Sequence, residues 1–314
     1  MSKQESREPI AFLNGNMVPI SEAQLHVFDM GIVHGVSITE MIRTFGHRPF
    51  RQQEHFSRFF QSLELVGLAV EQSAKELADL VEKIVEHNSR LISESHDLGI
   101  IVFATAGTNL TYVGNHSTES ARAPSLCIHT FELPFELWSE KLSTGQHLVT
   151  PQVRGISRES MNPQIKHRSR LHWYFADQEV RKTTSGASAI LMDENGFLTE
   201  TSSGNFFIVS DGNILTPKPE GTLGGISQLV VEELAEKIGC EYQTSDISPG
   251  DVFGSEEAFT SSTPYCLLPV TRFNFKPVGS GQPGPVFSKL LVAWNELAGL
   301  DIMGQMTTGA QDRA

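Results

Sequence analysis

Three stretches of the sequence bring together residue types that can do chemistry. Lys166 precedes an apolar run with Leu171, Trp173, Tyr174, Phe175 and Ala176, and its neighbours His167, Arg168 and Arg170 are basic. Lysines ordinarily sit on solvated faces. One crowded by cations and withdrawn from water has its ammonium form disfavoured, so its amine can attack a carbonyl. Glu200 lies in Phe197-Leu-Thr-Glu200-Thr-Ser-Ser-Gly204-Asn205-Phe-Phe207. That pattern fits a carboxylate in a crowded polar site and equally an exposed loop rich in Ser and Thr. Gly221-Thr-Leu-Gly224-Gly225-Ile226-Ser227-Gln228 runs straight into a helical pattern of Val230, Val231, Leu234, Ala235 and Ile238. Glycines let a backbone approach an anion, and a first helical turn offers N–H groups at the positive end of its dipole. A phosphate site and a plain helix start with Ser227 as an N-terminal residue both remain open.

An amine that forms a Schiff base, an anion beside a ring nitrogen and a phosphate-binding helix start are what a pyridoxal phosphate site requires. Two other signals lead nowhere. Gly279-Ser-Gly281-Gln-Pro-Gly284 matches GxGxxG, but Pro283 and Pro285 bracket its last glycine and no strand–turn–helix pattern surrounds it. A dinucleotide fingerprint needs that context. The eleven histidines form no HxH or HExxH pair, so no metal centre is expected.

The elements that must position these residues belong to a chain of 314 residues, a length that suits two domains. Apolar residues make up 39% and charged residues 19%, which excludes a disordered regulator and a disulfide mini-protein. With 37 acidic and 24 basic side chains the formal charge is −13, which argues against nucleic acid and anionic membranes as partners. Cys127, Cys240 and Cys266 are odd in number and far apart, neither a disulfide framework nor a zinc site. The opening stretch Met1–Pro9 has no apolar core, and no run of about 18 apolar residues occurs, so neither a secretory signal nor a membrane span is expected. The expected setting is cytoplasmic.

Periodicity predicts an α+β organisation. A hairpin, Ile10–Leu13 and Met17–Ile20 about Asn14-Gly15-Asn16, comes first. Strands at Ser37–Phe45, Gly99–Ala104 and Ser125–His129 flank helices over Glu54–Val66 and Ser73–Asn88. Residues 1–131 form a smaller first domain, Glu132–Trp138 a linker, and residues 139–314 a larger second domain. The second domain contains helices over Ser169–Thr184, Ile226–Ile238 and Val286–Ala298. Its strands fall at Ala187–Asp193, Phe197–Thr199, Asn205–Ser210 and Asn213–Thr216, and a tail of small residues follows Gly299.

In this order the segments resemble the class IV, fold-type IV, pyridoxal-phosphate enzymes: branched-chain aminotransferases, D-amino-acid aminotransferases and aminodeoxychorismate lyases. The resemblance runs from Phe12 to Ala298. Its start motif is similar to Phe28-Asp29-Met-Gly31-Ile-Val-His34-Gly35, followed by Glu40 and Arg43, and its His-to-Arg helix to His55-Phe-Ser-Arg58-Phe-Phe-Gln-Ser62. The resemblance implies a phosphate-binding role for Arg58, a Schiff-base role for Lys166, and an acid at the pyridine nitrogen in Glu200, followed by Asn205. It implies phosphate binding by the amides of Ile226 and Ser227, although Gln228 stands where arginine is frequent. Phe259-Thr-Ser-Ser262-Thr263-Pro264 resembles the second phosphate loop, with Thr263 as its hydroxyl ligand.

The implied reaction is transfer of an amino group between an amino acid, branched-chain among the options, and a 2-oxo acid. Pyruvate elimination from aminodeoxychorismate is the alternative, and a non-catalytic pyridoxal-phosphate-binding protein a distant one. The chain departs from each subgroup. Leu171 stands where branched-chain enzymes carry a tyrosine. Pro264 replaces the alanine whose amide helps grip the substrate carboxylate. Thr39, Thr111 and Val113 occupy the positions of the D-amino-acid carboxylate trap, and Thr39 is the candidate substrate contact. Lys166-His167-Arg-Ser-Arg170-Leu171 fits the Lys-His-x-x-Arg-Leu run of the lyases. The resemblance also implies a homodimer.

Overall fold

The computed structural model describes residues 8–114 and 123–313; the charged opening residues 1–7 lie outside the described residues. The chain divides into two compact units, one of Met1–Leu133 with Ile165–Ser169 and one of Pro134–Gln164 with Arg170–Ala314.

In the first unit β1 (Ile10–Leu13) and β2 (Asn16–Pro19) turn through Asn14 and Gly15, both at positive φ. That geometry matches the twist of the paired strands. With β3 (Ser37–Phe45), β4 (Arg48–Pro49), β5 (Leu98–Thr105) and β6 (Ser125–Glu132) they form a six-stranded sheet in the order β2-β1-β6-β5-β3-β4. All of its paired strands are antiparallel. Helices α1 (Gln52–Leu65) and α2 (Ala74–Asn88) cover one face. Ile38, Ile42, Ile100, Val102 and Ile128 pack there against Phe56, Phe59, Leu63, Leu77, Val81 and Ile84. Ser73 and Glu76 start α2 with a reciprocal capping box. Residues 165–169 join the edge beside β3. The Thr39 N–H donates to the Lys166 carbonyl and the Arg168 N–H to the Ser37 carbonyl, both at 2.9 Å, about an Ile38–His167 bridge.

The second unit holds β7 (Gln146–Val149), β8 (Ser188–Met192), β9 (Leu198–Thr201), β10 (Asn205–Ser210), β11 (Asn213–Pro217), β12 (Tyr242–Ser245), β13 (Glu257–Ser262), β14 (Cys266–Phe273) and β15 (Lys276–Pro277). β9 pairs with both β8 and β10, so β10, β13, β14, β7, β8 and β9 close into a ring. The expected hairpins β8–β9 and β10–β11 are antiparallel, whereas β7 runs parallel to β8 and β14, and β11 parallel to β12. The reason is connection length: α3 (Leu171–Thr183) crosses from β7 to β8 and α4 (Ile226–Ile238) from β11 to β12.

The division between Leu133 and Pro134 falls inside the segment expected as a linker, where Leu133 and Phe135 are fully buried and Phe135–Leu137 is a short 3-10 turn. Two local expectations change. The tail after Gly299 is a helix, α6 (Ile302–Asp312), because Ile302, Met306 and Gly309 share one buried face despite the weak helix formers between them. Phe259–Ser262, read as part of a loop, is the end of strand β13.

The GxGxxG segment leads into α5 (Pro285–Ala298), whose first turn is already occupied. Glu257 accepts the N–H groups of Val286 (2.8 Å) and Phe287 (2.9 Å), and a Cβ on Gly284 would overlap the Glu257 side chain. Gly284 therefore serves close packing around a carboxylate that caps the helix, while Gly279 and Gly281 sit at positive φ. Glu257→Ala should lower unfolding free energy in urea by about 3 kcal/mol, through loss of two charge-assisted bonds in a buried setting.

Candidate active site

In the first unit a carboxylate organises the candidate residues. Neighbours on a strand point to opposite faces, so β3 turns Ile38, Glu40 and Ile42 toward the helices and Thr39 away from them. His55, Arg58 and Ser62 recur at helical spacing along α1 and form a buried polar stripe in an otherwise apolar face. Arg58 donates from Nε to Glu40 Oε1 (2.7 Å) and from Nη2 to Oε2 (2.8 Å), while His55 Nδ1 lies 2.8 Å from Oε2. Glu40 is fully buried. Burial alone would raise its carboxyl, but the Arg58 and His55 bonds and charges overcome this and lower it to about 2. Burial, together with the Arg58 and Lys166 charges, holds His55 below its ordinary value against the pull of Glu40. The imidazole is thus neutral near pH 7, with Nδ1 as the donor to Glu40.

Lys166 is fixed through both of its peptide groups. Its N–H donates to Ser62 Oγ (3.1 Å) on α1 and its carbonyl accepts from Thr39 on β3. The structure thus brings Lys166, Arg58 and Thr39 together. The Thr39 hydroxyl donates to the Val102 carbonyl (3.3 Å), so this residue braces the lysine strand.

The second unit brings together Glu200, Asn205, Ile226 and Ser227. Asn205 pairs with Glu200 on β9 and with Ser261 on β13. The two side chains clamp one peptide of the glycine-rich segment: the Leu223 N–H donates to Glu200 Oε2 (3.3 Å), and Asn205 Nδ2 donates to the Leu223 carbonyl (3.0 Å). Gln164 holds the other side, donating to the carbonyls of Pro219 and Thr222 and accepting from the Gly224 N–H. Gly225 is the N-cap of α4, and a Cβ there would overlap Asn205 Oδ1. Ile226 and Ser227 follow as the buried first turn, while Gln228 folds back onto the Gly225 N–H. Thr263 sits in the turn between β13 and β14.

These residues fit pyridoxal phosphate on two observations. The α4 start has a glycine N-cap with no side-chain cap, so its first N–H groups have no intrahelical partner. Ser261 Oγ, on the strand leading to Thr263, is buried with no hydrogen-bond partner among the described residues. Such an atom fits a site that a polar ligand completes. No cluster of metal-ligating side chains occurs among the described residues.

Sequence reasoning gave no role to Glu40, Ser62, Gln164 or Leu223. Ser62 had a signal, since polar residues in register with apolar Phe56, Phe59 and Leu63 mark a helix face that buries polar groups, and Glu40 had one in its alternation with Ile38 and Ile42 on the inward face of β3. Gln164 and Leu223 act through long-range backbone contacts that local pattern does not encode.

The fold and these residues define a two-unit α+β enzyme of the pyridoxal-phosphate type. The chain belongs to the class IV amino-transferase family, whose pattern it matches over residues 37–273. D-alanine aminotransferase of Staphylococcus aureus (strain COL) is 28% identical, over 89% of this chain and 94% of that protein. Branched-chain amino acid aminotransferase of Escherichia coli superposes with a TM-score of 0.83 at 24% identity, covering 92% of this chain and 94% of that one. The branched-chain enzyme of Thermobaculum terrenum, in its pyridoxal-phosphate form, does so at 0.80 and 21%, covering 96% and 97%.

The buried triad sets an acid limit. Glu40 titrates from 4.5 in the unfolded chain to about 2 in the folded one, so the unfolded chain binds more protons across that window. Its contribution is full above pH 4.5 and is lost as pH falls toward 2, and His55 adds to the same limb below its ordinary 6.5. Urea unfolding should show wild type losing more stability than Glu40→Gln between about pH 5 and about pH 3. Glu40→Ala should cost about 3–5 kcal/mol at neutral pH, because it strands the Arg58 charge.

Proposed function

We propose that the protein is a pyridoxal-phosphate-dependent aminotransferase that moves an amino group between an amino acid and a 2-oxo acid. Membership of the class IV family carries this reading. The relatives' names divide between D-alanine and branched-chain amino acids, and the chemistry common to both is amino transfer.

When bound, the cofactor supplies an aldehyde for an amine and a ring that accepts electrons from the substrate Cα. Lys166 would hold it through a Schiff base. When not engaged in that bond, the Lys166 amine would act as the base that accepts the proton from the substrate Cα. Its backbone is fixed at both peptide groups, so only the side chain need move. Glu200 would keep a proton on the ring nitrogen, and Asn205 holds the segment against which Glu200 is braced. Arg58, Thr263 and the amides of Ile226 and Ser227 would bind the phosphate. Glu40 and His55 fix the guanidinium plane of Arg58, so its orientation is set before any ligand arrives.

A cytoplasmic setting is supported by cysteine usage, since Cys127, Cys240 and Cys266 are too few and too far apart in sequence for a disulfide framework. A homodimer, the commonest closed assembly, is the expected state.

Protein purified with pyridoxal phosphate should show an absorbance band near the visible edge that borohydride removes and that Lys166→Ala never forms. Donors tested with 2-oxoglutarate should then yield glutamate. Pyruvate from aminodeoxychorismate, with no glutamate from any donor, would overturn the transferase reading in favour of a lyase.

A further inference from the structure

The sheet face opposite the helices presents Lys166 in a defined row. Directly opposed residues of antiparallel strands share a face, and the register runs Lys166, Thr39, Phe103, Cys127 and Leu13. Arg168 lies one row over, opposite Ser37, and its guanidinium leans back to lie 4.7 Å over the Phe103 ring. It therefore reaches into the row that carries Lys166.

Arg168 has no ion pair and no side-chain hydrogen bond among the described residues. It is accessible to solvent, yet the surrounding face withdraws enough water to hold its pKa below the ordinary value. The groups beside it are neutral. Burial pushes the Cys127 thiol up to about 11, and burial with the Arg168 charge lowers His129. Asp29, near the adjoining row, gives its oxygens to the Gly31 N–H and the Thr105 and Ser125 hydroxyls. Glu40 belongs to the other face and is engaged by Arg58 and His55. A guanidinium held over an aromatic ring, with no carboxylate of its own, matches an external carboxylate in shape and charge. In the row that carries Lys166, the Thr39 hydroxyl is already bound to the Val102 carbonyl.

We propose that Arg168 binds the α-carboxylate of the amino-acid and 2-oxo-acid substrates, on the sheet face it shares with Lys166, and so selects acids over simple amines. This inference rests on the aminotransferase reading. Arg168 is then a specificity-determining residue that acts through a planar, two-pronged contact, and Phe103 keeps its fork oriented.

The test uses the holoenzyme and its Arg168→Gln and Arg168→Lys variants. Calorimetry reads the binding of 4-methylpentanoate, an acid with no amino or oxo group, and kinetics separate KM from kcat for alanine, leucine, glutamate and a primary amine without a carboxylate. Arg168→Gln should weaken 4-methylpentanoate by about 10- to 100-fold and raise KM for all three amino acids, leaving the amine unchanged. Arg168→Lys, which keeps charge but not the fork, should fall between. Melting temperature and cofactor absorbance should match wild type, since the side chain makes no hydrogen bond in the fold. Unchanged acid binding, an equal loss for the amine, or a loss confined to glutamate would each overturn the proposal. Calorimetric discrimination without any amino transfer would support the carboxylate site and refute the assigned reaction.

Discussion

The Glu40 carboxylate has been taken wholly out of water, and its neighbourhood is arranged to make that tolerable. Dehydrating an ion costs several kcal/mol, and a partner recovers the cost only with close geometry and satisfied lone pairs. Arg58 supplies two bonds and His55 a third. A hydrophobic cluster of equal volume could give comparable stability, so stability alone does not explain this triad. What the ions add is direction. The guanidinium cannot rotate without stranding Glu40, and the helix that carries Arg58 cannot slide along β3. That same helix offers Ser62 to the Lys166 N–H, and the residue beside Glu40 on the strand offers its own N–H to the Lys166 carbonyl. One strand thus controls both faces, anchoring a cation through Glu40 and the lysine through Thr39.

Net charge is a poor guide at this scale. A formal charge of −13 argues against long polyanions, but it does not govern a site built from one helix start and a few cations. Two glycine-led helix starts in the second unit make the point. α5 begins under Glu257, whose carboxylate has taken its first amides. α4 begins at Gly225 with no side-chain cap, on a segment braced by Glu200, Asn205 and Gln164. The motif with the better-known spacing is the closed one, and the plainer motif is the one suited to an anion.

Much of this was legible in the sequence, and the reasons are local. The α4 boundaries followed from Gly225 and Gly239 around a single apolar stripe, and the first hairpin from Asn14-Gly15. Lys166 stood out by its basic neighbours. Its attachment to β3 did not, because the five-residue strip Ile165–Ser169 carries no strand pattern and gains its conformation from the sheet it joins. β7 and β12 were missed because four-residue parallel strands depend on crossover helices for alignment. The last helix was missed because Gly304, Gly309 and paired threonines are poor helix formers, and tertiary burial of Ile302 and Met306 outweighs them.

On the proposed function, Lys166, held by Ser62 and Thr39, is the amine that attaches the cofactor. The most direct test is to reduce the pyridoxal-phosphate-loaded protein with borohydride, digest it and locate the pyridoxyl group by mass spectrometry. One modified lysine is expected, Lys166, in the peptide that continues into His167 and Arg168. A label on any other lysine, or a digest with no label although the phosphate compound binds, would contradict it.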